Sequence, residues 1–327
     1  METNVNSFST WGWLVQQADF DRIRIPEGKT PQIYFICRRP KISFDPKSVR
    51  KNGSVYEVDL VSLRGGGKDS IEIEPHEGSG VLRVEFDSKP PHTHIYFVDE
   101  LGNTESCNIA AAVAHAESVP EHYLDLEILY IGQSVGTSSG YNIIERLKNH
   151  STLQKIYAEA IRSSPDYDIW VALFHFDYQQ VYMFNGPTLA DGKLSFETQV
   201  EPDANAEDEM LKMEEIDSSP KLRQQYINFT EAALIRYFEP EYNQKFKDTF
   251  PSPAHSSYAS CYDLDVHSVS VGFVGDSIHA RVFTSKVKPA KVHGINFELQ
   301  NSEERKNLFS LLATSEDLMK DKEKGGV

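Results

Sequence analysis

The feature that most constrains the fold of this chain is an apolar segment that ends in glycine and leads, through a polar stretch, into a helical pattern. The segment is LEILYIG at 126–132, and the helical pattern is YNIIERLKNH at 141–150. Arg146 and His150 are four positions apart, so they share one face of that helix. The pattern predicts a strand that carries Tyr130 near its end, followed by a helix that presents an arginine and a histidine.

A helix much later in the chain adds an acidic residue. The segment SPKLRQQYINFTEAALIRYFE at 219–239 has the periodicity of an amphipathic helix, and Pro240 stops it. Glu231 lies on this helix, and Asn243 lies just beyond its end. We expect Glu231 to approach Tyr130 only if this helix packs back onto the same sheet.

Together, a tyrosine, an arginine, a histidine and a glutamate suit the hydrolysis of a phosphodiester. An arginine pairs with a phosphate in bidentate geometry and stabilises the additional charge of the transition state. A glutamate can hold Mg²⁺ against the scissile phosphate, and a tyrosine or histidine can orient or deprotonate the attacking water. Each residue alone has an ordinary structural explanation, so the prediction depends on their combination.

Composition limits the class of protein. No run of 18 apolar residues is present, so no membrane partner is predicted. The N-terminal residues lack a positive region followed by an apolar run, and three cysteines are widely scattered, so we expect a cytoplasmic location with reduced thiols. The net charge of −16 disfavours a nonspecific DNA coat, but an acidic insert near 197–217 carries much of that charge.

The residues described above resemble those of the GIY-YIG nuclease family. The resemblance rests on YIG at 130–132, RLKNH with STLQKI directly after it, and EAALIRYFEPEYN, and it covers residues 94–247. It implies hydrolysis of nucleic acid phosphodiesters, with DNA as the expected substrate and one Mg²⁺ or Mn²⁺ ion as cofactor.

The resemblance also implies a role for each matching residue. Tyr130 corresponds to the tyrosine of the second half-motif, and Arg146 to the arginine that binds phosphate. His150 corresponds to the histidine of the helix, and Glu231 to the metal ligand. Supporting roles fall to Gly132 and Asn243.

The first half-motif departs from the family pattern. No GIY precedes Tyr130 at a short interval, and HIYFVDELGN at 94–103 is the best candidate, with histidine in place of glycine. Tyr96 is then the expected first tyrosine and a candidate general base. Tyr123 is a poorer candidate, because it lies too near the next strand to form a hairpin with it.

The expected fold class is α+β. The resemblance implies a small antiparallel sheet flanked by helices, and alternating segments between turn signals predict β-rich regions on either side. We therefore predict a β-rich N-terminal region at 1–92, the nuclease-like module with its acidic insert at 93–250, and a β-rich C-terminal region with a terminal helix at 251–327.

Two other functions remain open. A nuclease fold without activity, which only binds nucleic acid or a protein partner, is favoured by the altered first half-motif and the acidity. A serine hydrolase is suggested by GQSVG at 132–136, which matches a nucleophile elbow, with Asp177 and either His255 or His267 as candidate partners. The TSSG stretch that follows the serine disfavours the hydrolase, because an elbow needs a helix there.

Overall fold

A computed structural model describes residues 2–62, 68–76, 80–116, 121–134, 143–183, 220–244 and 266–298. The acidic insert near 197–217, the predicted terminal helix and His255 lie outside these ranges. Within the ranges the chain is an α+β protein in which strands predominate, as the sequence predicts. None of the described helices is long and apolar enough to cross a membrane.

The elements are numbered here along the described chain. The strands are β1 (Glu2–Val15), β2 (Ile33–Pro40), β3 (Ile42–Phe44), β4 (Arg50–Asn52), β5 (Val55–Ser62), β6 (Lys68–Ile73), β7 (Val81–Phe86), β8 (His94–Asp99), β9 (Thr104–Asn108), β10 (Leu126–Gln133), β11 (Tyr167–Met183), β12 (Val266–Val274), β13 (Val282–Phe283) and β14 (Val292–Glu298). The helices are α1 (Ile109–His115), α2 (Ile143–Lys148), α3 (Ser151–Ser163) and α4 (Pro220–Phe238), with 3₁₀ helices at Gln17–Arg22, Glu121–Leu124 and Asp276–Ile278.

A mixed sheet of seven strands, in the order β13-β10-β2-β11-β1-β12-β14, forms the centre of the protein. β2 lies between β10 and β11 and is antiparallel to both, whereas β1 runs parallel to β12, and β10 runs parallel to β13. The segments 33–37 and 171–176 are buried at every residue. Continuous burial of this kind is typical of strands that are covered on both faces.

Helices cover the two faces of the central sheet. α2 and α3 pack on one face, where Leu147 and Ile156 share a core cluster with Tyr34. α4 packs on the opposite face, where Phe229 shares a cluster with Phe35. α4 ends at Phe238, because Glu239 adopts a left-handed conformation with φ of 47° and Pro240 cannot continue the helix.

The chain between β2 and β10 forms a separate β-rich unit. β3 to β6 form one small sheet, and β7 to β9 form another. These sheets and α1 share a hydrophobic cluster of their own, which includes Phe44, Leu60, Phe97 and Val113. Residues 42–124 are therefore an insertion between two neighbouring strands of the central sheet.

This arrangement differs from the division of the chain that the sequence suggested. The central sheet takes strands from all three of the predicted regions, 1–92, 93–250 and 251–327. The boundary at 92 cuts through the core of the inserted unit, which Phe44 and Phe97 share. The nuclease-like module is thus not placed between two β-rich flanks, because those flanks supply strands of the same sheet.

The strand pairing predicted for HIYFVD is also wrong. This segment forms β8 as expected, but β8 pairs with β7 and β9 inside the inserted unit. The antiparallel neighbour of β10 is β2. Alternation of apolar and polar residues identifies a strand and its faces, but it carries no information about a partner from a distant part of the chain.

Candidate active site

Tyr34 and Tyr130 lie side by side on one face of the central sheet. Gly132 of β10 is opposite Tyr34 of β2, and the centroids of the two phenol rings are 6.2 Å apart. A Cβ at position 132 would lie 2.5 Å from Cζ of Tyr34 and 2.9 Å from Cε1 of Tyr130. The glycine of YIG is therefore required because the ring of the neighbouring strand occupies the space above it.

His150 connects this pair of tyrosines to the start of α3. Its Nδ1 accepts a hydrogen bond from the backbone N–H of Leu153 at 3.2 Å and so caps the helix. Its Nε2 lies 2.8 Å from the hydroxyl oxygen of Tyr34. Because Nδ1 is an acceptor, the neutral ring carries its proton on Nε2, and His150 donates to Tyr34.

Arg146 lies on the exposed face of α2, whose buried face carries Leu147. Burial lowers the pKa of His150, and the charge of Arg146 lowers it further, so the neutral ring is favoured near neutrality. Arg146 also lowers the pKa of Tyr34 and of Tyr130. The guanidinium is thus close enough to act on all three polar groups of this face.

Burial, the largest cause, raises the pKa of both tyrosines. For Tyr34, the neighbouring Tyr130 and the charge of Glu231 raise the pKa further, against the lowering effect of Arg146. For Tyr130, Glu231 raises the pKa, whereas the neighbouring hydroxyl of Tyr34 lowers it. The charges of Arg146 and Glu231 thus act on both hydroxyls in opposite directions.

Glu231 lies on α4, which packs on the face of the sheet opposite Tyr34. Its carboxylate can nevertheless act at the site, because the site lies at the end of β10. Oε2 of Glu231 accepts a hydrogen bond from Nε2 of Gln133 at 2.8 Å. Nε2 of Gln224 in turn donates to Oε1 of Gln133 at 2.9 Å and to Oδ1 of Asn228 at 3.0 Å. These amides orient the carboxylate, and Gln133 and Gln224 were not identified from the sequence.

Asn243 supports the end of β10. Its Oδ1 accepts from the backbone N–H of Ile131 at 2.9 Å, and its Nδ2 donates to the carbonyl of Ile131 at 2.8 Å. β13 pairs with β10 only at 126–127, so within the described residues no strand covers this edge beyond that point. The buried side chain of Asn243 therefore takes the place of a neighbouring strand and fixes the segment that carries Tyr130 and Gly132.

The residues present are compatible with one magnesium or manganese ion. Across the described part of the chain, no three His, Cys, Asp or Glu side chains form a group that could hold a metal. Mg²⁺ is, however, commonly held by one or two carboxylates, together with water and the phosphate oxygens of a substrate. Glu231, whose carboxylate is half-buried and oriented by Gln133, fits this mode of binding.

Tyr96 lies elsewhere. Its hydroxyl donates to Oδ1 of Asp87 at 3.1 Å, and Oδ2 of Asp87 accepts from the backbone N–H groups of Thr93 and His94. Tyr96 thus lies on β8 of the inserted unit, where its hydroxyl bonds to Asp87 in the turn between β7 and β8. The expectation that Tyr96 lies beside Tyr130 is wrong, and Tyr34 occupies that position.

Tyr34 was missed because the insertion at 42–124 separates it from Tyr130 along the chain. The available signal was Ile33-Tyr34 at the start of the apolar strand QIYFIC, which contains the isoleucine and tyrosine of the expected half-motif after a glutamine. Nothing in the sequence indicates that this strand, among several, is the neighbour of β10.

The hydrolase motif does not form a catalytic triad within the described residues. The hydroxyl of Ser134 donates to the carbonyl of Pro31 at 2.6 Å, and Asp177 pairs with His175 at 3.1 Å. The side chain of His267 lies outside the described residues, as does His255. No histidine among the described side chains bonds to Ser134.

The described structure thus brings Tyr34, Tyr130, Arg146, His150 and Glu231 to one end of β10, with Gly132 and Asn243 in supporting positions. Tyr96 is not part of this group. Comparisons of the chain with protein-family models, with curated proteins and with solved structures gave no match.

Proposed function

We propose that this protein is an endonuclease that hydrolyses nucleic acid phosphodiesters, with DNA as the expected substrate, at a single-metal site of the GIY-YIG type. The observation that carries the proposal is the placement of Tyr34 beside Tyr130 and within hydrogen-bond distance of His150. In this proposal Tyr34 takes the role of the first tyrosine that the short-range sequence pattern lacks.

Arg146 would bind the scissile phosphate. It lies on the exposed face of α2, and its charge acts on both tyrosines and on His150. A guanidinium in this position pairs with phosphate oxygens and stabilises the charge that develops as water attacks phosphorus. A single guanidinium in this position is compatible with a net negative protein, because it acts on the phosphate at short range.

Tyr34 would act as general base in its phenolate form. Its own hydroxyl proton is first lost to bulk water, and the phenolate then takes the proton of the attacking water, which becomes hydroxide at phosphorus. The Nε2–H of His150 donates to the Tyr34 oxygen and stabilises the phenolate, which opposes the increase in pKa that burial causes. Tyr130, whose ring lies beside that of Tyr34, would orient the water or a phosphate oxygen. A divalent cation held by Glu231 would supply positive charge at the leaving oxygen and would offset the carboxylate charge that raises the pKa of both tyrosines.

The test is cleavage of supercoiled plasmid and of single-stranded DNA in the presence of Mg²⁺ or Mn²⁺. Glu231→Gln and Arg146→Ala are compared with Glu298→Gln and Arg162→Ala, which change exposed residues of the same types. We expect nicking by the wild type and by both control variants, and a large loss in the two site variants.

Two other results would change the proposal. Equal cleavage by all variants would show that the residue roles are wrong. A wild type that binds DNA but cleaves none of the substrates would favour a nuclease fold that only binds.

A further inference from the structure

We propose that Trp11 and Trp13 form a base-stacking subsite for single-stranded nucleic acid beside the candidate active site. The class of substrate in this inference rests on the proposed function. The residues of the subsite, however, are not among those proposed to carry out hydrolysis. It assigns a function to the N-terminal strand β1, which the sequence pattern left without one.

The registers of three strand pairs place this subsite on the same face as the tyrosines. Gly132 is opposite Tyr34, Tyr34 is opposite Leu173, and Leu173 is opposite Trp13. Residues directly opposite each other in antiparallel strands point to the same face of a sheet. Trp13 therefore lies in one row with Tyr34, two strands away, and it packs against the same hydrophobic cluster.

The separation suits an extended substrate strand. Neighbouring strands are about 4.8 Å apart, so the backbones at Tyr34 and Trp13 are separated by about 10 Å. Bases that stay stacked as in B-form DNA rise by about 3.4 Å each, so this distance corresponds to about three stacked nucleotides and to fewer in an extended strand. A strand with its phosphate at Arg146 can thus present a nearby base to the indoles.

Trp11 has the exposure that stacking requires. Its side chain is 46% exposed, and it is the only aromatic residue among the large exposed hydrophobic residues of the described chain. Trp11 stacks on Trp13 with ring centroids 6.2 Å apart and an interplanar angle of 27°. The half-buried Trp13 holds the indole of Trp11 from beneath, so little conformational entropy is lost when a base stacks on it.

Basic residues follow directly along the chain. The segment after the 3₁₀ helix carries Arg24, Glu27 and Lys29, and Lys29 lies 3.8 Å from a carboxylate oxygen of Asp177. Ile23 and Ile25 anchor the segment on the same hydrophobic cluster as Trp13. Within the described residues, the one hydrogen bond of the Arg24 guanidinium is a 3.5 Å contact with the carbonyl of Ile23. Aromatic side chains beside basic ones are the usual composition of sites that bind single strands.

The subsite predicts a substrate with unpaired bases. A base inside a duplex is already stacked on both sides, so it gains nothing from an indole on the protein surface. Stacking on an aromatic side chain tolerates all four bases, because each has a π face. We therefore expect a preference for single-stranded over duplex nucleic acid, without strong sequence selectivity on this side of the scissile phosphate.

The test uses the full chain with Glu231→Gln, which prevents cleavage and retains an acceptor for Gln133. A short fluorescein-labelled oligothymidylate is titrated in Mg²⁺ buffer, and both anisotropy and tryptophan fluorescence are followed. We expect binding to quench the tryptophan fluorescence of this Glu231→Gln protein, which is the parent for the further variants. Adding Trp11→Ala to it should weaken binding about tenfold and reduce the quenching. Trp11→Phe retains most of the affinity, and Leu101→Ala, which removes an exposed apolar side chain in the inserted unit, leaves it unchanged.

A second measurement separates this subsite from the hydrolytic chemistry. The small diester bis(p-nitrophenyl) phosphate does not extend to Trp11, so Trp11→Ala in the wild-type background should hydrolyse it at the wild-type rate. The protein could bind oligothymidylate in a way that depends on Trp11 and yet cleave no phosphodiester. That result would refute the proposed hydrolysis but would support the subsite. Three results would overturn the subsite. Trp11→Ala could leave the affinity for oligothymidylate unchanged, or the Glu231→Gln parent could fail to bind it. The third is that Trp11→Ala lowers hydrolysis of the small diester as strongly as it lowers oligothymidylate binding.

Discussion

The hydroxyl of Tyr34 accepts a hydrogen bond from His150, whose other ring nitrogen caps the helix that follows. One side chain thus stabilises α3 and orients a candidate catalytic tyrosine. This double use of the imidazole requires the neutral ring, because a proton on Nδ1 would remove the acceptor for Leu153. The geometry of the site and the local stability of the fold therefore depend on the same protonation state.

This dependence predicts that stability decreases in mild acid. The pKa of His150 in the folded protein is below its usual value, because of burial and of Arg146, whereas in the unfolded chain it is about 6.5. The unfolded state binds more protons between these two values, so the free energy of unfolding falls as the pH drops below about 6.5. The contribution is fully present above that pH.

Denaturant unfolding of the wild type and of His150→Asn, near pH 7.5 and pH 5.5, measures this contribution. Asparagine is a good N-cap and does not titrate, so the variant should lose less stability between about pH 7.5 and pH 5.5 than the wild type does. His122→Asn, which changes an exposed histidine, should behave as the wild type does. Identical pH dependence in all three proteins would contradict the role of His150.

Gly132→Ala is predicted to displace Tyr34. The added methyl group would overlap the phenol ring of Tyr34 on the neighbouring strand, and overpacking of this kind costs about 1–3 kcal/mol. Cleavage should fall with stability, because the tyrosine hydroxyl moves away from His150. Gly80→Ala is the matched control, since nothing lies within 4 Å of the added atom. Unfolding curves and cleavage rates that match between the two variants would show that the close approach at Gly132 has no consequence.

Local features of this site were predictable from the sequence, because they depend on short-range spacing. The helices that carry Arg146 and Glu231 follow from the periodicity of their own segments, and Pro240 sets the end of α4. The prediction that His150 shares a helix face with Arg146 is wrong, because α2 ends at Lys148 and His150 instead caps α3. The β-rich character of the regions before and after them follows from alternation and turn residues.

Long-range features could not be predicted in the same way. The neighbour of β10 is fixed by packing across an insertion of some eighty residues (42–124), and no local pattern encodes that choice. The amides of Gln133 and Gln224 are ordinary polar residues until the fold places them beside Glu231. The same holds for the indole of Trp11, which became a candidate subsite only through the register of three strand pairs.

Asn243→Ala is predicted to destabilise the end of β10. The change leaves the N–H and the carbonyl of Ile131 without their partners, at a cost of about 1–3 kcal/mol for each buried group. Asn149→Ala, which removes an exposed asparagine with one bond to the carbonyl of Glu145, is the control and should cost far less. Hydrogen exchange at Ile131 provides the direct readout. If that amide remains as protected in Asn243→Ala as in the wild type, the support assigned to Asn243 is incorrect.

Gln133→Ala is predicted to weaken metal binding without unfolding the protein. Loss of a partner that orients a ligand typically reduces metal affinity about 10- to 100-fold, because the carboxylate is no longer held in one orientation. Calorimetric titration with Mn²⁺ measures this effect independently of cleavage. Gln154→Ala, on the exposed face of α3, should bind the ion as the wild type does. Equal affinities in the two variants would mean that Gln133 does not position Glu231 for a metal.

The central claim is that Tyr34, and not Tyr96, completes the site. The most direct measurement is the single-turnover rate of DNA cleavage by Tyr34→Phe and Tyr96→Phe, each of which removes one hydroxyl and keeps the ring. We predict that Tyr34→Phe lowers the rate by about 10²- to 10⁴-fold, as expected for loss of a general base, and that Tyr96→Phe cleaves at the wild-type rate. An active Tyr34→Phe beside an inactive, folded Tyr96→Phe would contradict the account.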